Sequence, residues 1–78
     1  MVSYIVKFAA DPYDKDSGIP QWWPNYVCEK EVTDKSIVEG KTVCTMKFLL
    51  GKQYMHQFEN YINDVLGKYA VCYAKSEL

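Results

Sequence analysis

The sequence predicts an α+β fold: a small, mainly antiparallel four-stranded sheet with one amphipathic helix packed on one face, in the order β-β-β-α-β. Three observations lead there. Four stretches alternate apolar and polar residues with a period of two. One stretch, Lys52 to Leu66, instead repeats its apolar residues with the period of a helix. Finally, 78 residues of which 49% are apolar suffice for a single core, so residues 1–78 read as one compact domain.

VSYIVKFA opens the chain as a strand, with Val2, Tyr4, Val6 and Phe8 on one face and Ser3 and Lys7 on the other. Residues 10–24 carry three prolines, a glycine and three aspartates, and form a loop that is long for so small a domain. NYVCEKEVTD resumes the alternation, with Tyr26, Cys28 and Val32 against Glu29 and Glu31. Glu39-Gly40 marks a turn. KTVCTMKFLL is a third strand that puts Cys44, Met46, Phe48 and Leu50 on one side.

The helix places Tyr54, Met55, Phe58, Tyr61, Ile62, Val65 and Leu66 on one wide apolar face, and Gly67 stands where a left-handed C-cap is wanted. YAVCYAK closes the sheet, with Ala70, Cys72 and Ala74 on one face and Tyr69, Val71 and Tyr73 on the other. The small-residue face suits a close approach by the helix. One helix cannot cover a four-stranded sheet, so part of the second face, tyrosines of the last strand included, is expected to stay open.

Composition argues against several functions. Net charge is −1, and every basic side chain is a lysine. Without arginine the chain lacks the bidentate phosphate and guanine contacts of most nucleic-acid binders, and its lysines are scattered among acids rather than clustered. Three cysteines without a CxxC pair read as buried structural thiols rather than a disulfide framework or a zinc site. That points to a reducing compartment, the cytoplasm of the producing or host cell. The N-terminal run shows no signal-peptide pattern, and no segment is long and apolar enough for a membrane span.

Catalytic signatures are not evident. His56, the only histidine, falls on the polar flank of the helix, and no Gly-rich phosphate loop or GxSxG context occurs. DPYDKDSG fails the calcium-loop register: with Gly18 at the sharp turn, the ligand positions become Tyr13, Lys15 and Ser17. The expectation is therefore a non-enzyme without a cofactor or metal.

PQWWPNY raises the sharpest question, since neighbours on a strand face opposite ways and two adjacent tryptophans cannot both enter one core. Either one ring plugs the edge of the core and the other lies on the loop, or Pro20 and Pro24 stiffen a displayed aromatic surface. In the second case Trp22, Trp23 and Tyr26 form a partner-binding surface with Tyr13, Asp11, Asp14 and Asp16 as its rim. The function so expected is a small protein-binding module docking an acidic-aromatic loop on a larger protein or complex, as stoichiometric inhibitors and phage-type accessory proteins do. A small-molecule-binding or regulatory domain with an aromatic-lined pocket is the alternative. A homodimer through an exposed sheet face or edge is also within reach of this architecture.

Overall fold

The computed structural model describes residues 1–19, 23–64 and 66–77. It consists of β1 (Val2–Phe8), β2 (Val27–Val38), β3 (Lys41–Leu50), an α-helix α1 (Met55–Asp64) and β4 (Ala70–Glu77), with single 3-10 turns at Lys15–Ser17 and Lys52–Tyr54. The strands form one antiparallel sheet in the order β2-β3-β1-β4. β1 and β2 therefore run parallel with β3 between them, and β3 and β4 run parallel with β1 between them. Both crossovers are of the split β-α-β kind. The helix makes the second, whereas the first, from Phe8 to Val27, carries one turn of 3-10 helix among its described residues.

The alternation of β1 and β3 sets the core. Val2, Tyr4, Val6 and Phe8 pair with Leu50, Phe48, Met46 and Cys44, and all eight are fully buried. Phe58, Tyr61, Ile62 and Leu66 close over them, with the Phe58 ring 4.9 Å from Tyr4 and 5.2 Å from Phe48. Ile19 and Pro12 of the first crossover are buried on the same side.

The helix is shorter than its apolar pattern, since the first turn tightens to 3-10 and the α-helix stops at Asp64. Gly67 is needed for a different reason from the one expected. It does not take the left-handed conformation; instead, a Cβ there would collide with the Asn63 carbonyl oxygen. The Glu39-Gly40 turn has φ values of 53° and 77°, the double positive pattern of a two-residue hairpin.

Two expectations are corrected. Tyr73 and Lys75 pair with Val6 and Tyr4 and so face the helix, while Cys72 and Ala74 pair with Lys7 and Ile5 on the open face. The register shift between Lys7 and Phe8 leaves Val71 without a partner and decides which set turns inward. Of the cysteines only Cys44 is buried, and burial pushes its thiol up; Cys28 and Cys72 are exposed. Cys28 sits at the β2 register shift and Cys72 on the open face of an edge strand, places where alternation alone does not bury a side chain.

A buried hydroxyl ties helix to sheet. Tyr4 Oη donates to Glu59 Oε2 at 2.7 Å, and Lys75 Nζ meets the same oxygen at 3.3 Å. The Tyr4 hydrogen bond is the larger cause holding the Glu59 carboxyl below its ordinary range, with Lys75 adding and burial opposing. Burial and the Glu59 carboxylate push the Tyr4 hydroxyl up.

Phe58→Ala is expected to cost about 3–5 kcal/mol, while His56→Ala, on the exposed side of the helix, stays near neutral in urea unfolding. Equal losses would contradict the packing. Because the folded-state pKa of Glu59 is depressed, its contribution is present above the unfolded value of about 4.3 and lost as pH falls through the folded value. The stability gap between wild type and Glu59→Gln is therefore expected to be widest near neutral pH and to close in acid, as read by urea midpoints across a pH series.

Candidate partner-binding surface

The ladder between β1 and β3 ends at Phe8–Cys44, but that between β2 and β3 continues to Val38–Lys41. Past the end of β1 the hairpin therefore stands as a two-stranded ribbon. Its tip carries Ile37 and Val38, which are 75% and 54% exposed. β-branched residues favour the strand conformation, yet no layer covers them here. Val71, 64% exposed, lies across the gap on β4.

The first crossover borders the same gap. Ala9 N–H donates to the Tyr69 carbonyl at 2.8 Å, which directs the chain out of β1. Asp11 Oδ1 accepts from Tyr13 N at 2.9 Å, and Asp14 Oδ1 accepts from Asp16 N at 2.9 Å, so both carboxylates build turns. Gly18 closes the 3-10 turn at φ 82°, and a Cβ at that position would stand 3.1 Å from Tyr69 Oη. The Asp11 carboxylate also pairs with Lys35 of the hairpin at 2.6 Å, which lowers its pKa and raises that of the lysine. Between loop and ribbon lies an open groove of about 490 Å³. Ala10, Val43 and Val71 supply its apolar part, and Asp11, Asp14, Lys35 and Lys41 its charge.

The aromatic half of the expected surface sits elsewhere. Trp23 is half-buried with its ring 5.3 Å from Phe48, and Tyr26 stacks on Tyr54 at 4.8 Å and 13°. Both rings help close the core near the far end of β3, where Val27 pairs with Leu50. The buried Trp23 indole N–H has no hydrogen-bond partner among the described residues, whereas Tyr13, Asp14 and Asp16 are exposed at the loop surface. Trp22 lies outside the described residues. The groove thus brings Asp11 and Asp14 beside Lys35 and Lys41 of the hairpin, whereas Trp23 and Tyr26 pack against Phe48 and Tyr54.

Ile37, Val38, Val43 and Val71 were not singled out by sequence reasoning. A usable signal existed: an apolar pair immediately before a two-residue turn must stand at a hairpin tip, where cover is scarce. A second concavity, of about 390 Å³, lies between β2 and β3 and is lined by Cys28, Glu29, Glu31 and Lys47. Among the described residues no group of three or more His, Cys, Asp or Glu side chains could hold a metal ion, and no helix is long and apolar enough to cross a membrane. No protein family, curated protein or solved structure matches the chain.

Trp23→Ala is expected to cost about 2–3 kcal/mol by uncovering Phe48. Trp23→Phe keeps an aromatic ring and removes the orphaned donor, so its cost is expected to be less than about 1 kcal/mol. Chemical denaturation of the two variants checks this, and equal losses would refute the plugging role.

Proposed function

We propose that the chain is a small non-enzymatic protein-binding module that docks the loop around Tyr13 and the hairpin tip against a larger protein or complex. Stoichiometric inhibitors and phage-type accessory proteins work on this scale. The observation that supports the reading is the groove between loop and hairpin, with Ala10, Val43 and Val71 as its apolar part and Asp11, Asp14, Lys35 and Lys41 as its charge, on elements that also carry the exposed Ile37, Val38 and Tyr13. A soluble domain rarely gathers apolar surface around a groove without using it, and a charged rim around an apolar centre is the common pattern of recognition surfaces.

The charged groups of the groove serve this role better than catalysis. Asp11 pairs with Lys35, and Asp14 Oδ1 accepts from Asp16 N within a turn. They brace the loop, so Tyr13 and Asp16 are presented at low entropic cost. Trp23 and Tyr26 act from behind by fixing the far end of the crossover to the core.

Ile37→Asp with Val38→Asp is expected to abolish capture of the partner from the native host while the far-UV spectrum and cooperative melting persist. Undiminished capture would refute the hairpin tip as the contact. For the purified pair, Asp14→Asn and Asp16→Asn are expected to slow association by a few-fold at low salt and to change little at high salt, where exposed charges are screened beyond about 8 Å.

A further inference from the structure

We propose that the outer edge of β4 pairs antiparallel with the same edge of a second copy of this chain, about a twofold axis at Ala74, to give one continuous sheet across both protomers. The sheet has two edge strands, and they differ in kind. β2 carries the usual protections: Glu29, Lys30, Glu31, Asp34 and Lys35 along its length, and register shifts after Val27 and Val32. β4 carries few. Its ladder with β1 runs unbroken from Cys72 to Glu77, residues 71–77 are all exposed, and Ala70–Ala74 bear no charge. An edge with an unbroken ladder and charge only at Lys75 and Glu77 offers unpaired N–H and C=O groups to any strand of matching geometry.

The chemistry of β4 suits itself. Opposed residues of an antiparallel pair lie on one face, so a twofold axis normal to the sheet must pass through a residue. An axis at Tyr73 would put the bulged Val71 inside the ladder, opposite Lys75, whereas an axis at Ala74 leaves it at the ladder's end, and an axis at Lys75 would set lysine against lysine. At Ala74, Cys72 meets Ser76 on the open face, and Tyr73 meets Lys75 on the helix face. That pairing places an ammonium beside a ring that is 39% exposed in the single chain. The charge of each Lys75 is balanced within its own protomer by Glu59 at 3.3 Å, so the two lysines approach without net repulsion. Glu77 meets Val71, next to a groove of about 310 Å³ that Ile62, Gly67, Ala70 and Tyr73 line at the end of α1. Its methylenes cover apolar surface there that one copy leaves open. Edge pairing of this length buries less than the roughly 800 Å² per partner of a stable complex, so the dimer is weak and concentration-dependent.

Sedimentation velocity under reducing conditions tests this directly. From micromolar to millimolar protein the weight-average mass is expected to rise from 9.1 kDa toward twice that value. Ala74→Lys, on the exposed face, opposes two lysines at the axis and is expected to hold the mass at 9.1 kDa throughout. A second arm does not depend on the folding of that variant. With Cys28 and Cys72 changed to serine, Ala74→Cys is expected to form an intermolecular disulfide on mild oxidation, because facing Cα atoms of an antiparallel pair lie about 4.5–5.5 Å apart. Ile37→Cys at the hairpin tip, in the same background, is expected to cross-link at least tenfold more slowly. A mass that stays at 9.1 kDa in wild type, a dimer untouched by Ala74→Lys, or equal cross-linking at the two cysteines would each overturn the proposal.

Discussion

One ten-residue helix has to seal a four-stranded sheet, and the rest of the molecule is arranged around that shortfall. Such a helix is about 15 Å long and about 10 Å across, while four strands spaced about 4.8 Å apart make a wider surface. The helix takes the middle, where Phe58 lies between Tyr4 of β1 and Phe48 of β3. What it leaves bare on that face falls to the first crossover. Ile19, Pro12 and the half-buried Trp23 do by scattered insertion what a second helix would do with one stripe. This accounts for the length of the crossover: it is a wall of the core that also has a surface.

Because the crossover is pinned at both ends, its two halves acquire different tasks. At one end the aromatic residues turn inward and stack on Phe48 and Tyr54. At the other, aspartates spend their carboxylates on turns and on Lys35, which fixes the backbone around Tyr13. An acidic sequence here is mainly local architecture, with only part of its charge free to act at a distance. The part-buried cluster of Tyr4 with Glu59 and Lys75 follows the same logic, since it fastens the helix to the central strand and to β4 together.

Periodicity was enough for most of the fold. Val2, Tyr4, Val6 and Phe8, the matching set on β3, and Phe58, Tyr61 and Ile62 of the helix are where alternation and helical spacing put them. What remained hidden depends on register. A single unpaired residue at Val71 exchanges the two faces of β4, and no local pattern reveals it. Glu59 is hidden for a related reason: on a helical wheel it is a polar flank residue, and only the position of Tyr4 makes it a partner. The candidate surface was half legible. Tyr13 and the aspartates stand out by composition, but the groove that Asp11 and Asp14 share with Lys35, Lys41 and Val43 requires the hairpin to outrun β1, which is a property of strand lengths in three dimensions.

The position of β1 between β3 and β4 also governs how this chain can fold. β2 and β3 are joined by a two-residue turn and can zip locally, whereas Val2 must find Leu50 on one side and Glu77 on the other. Closing loops of that length is entropically costly before any contact rewards it, so sheets built this way assemble slowly for their size. During synthesis β1 is made first and has no partner until β3 has left the ribosome, and its second flank waits for β4. For that interval Val2, Tyr4, Val6 and Phe8 are an unsheltered apolar strand, and nascent chains of this protein are the state in which chaperone contact or misassociation has its opportunity.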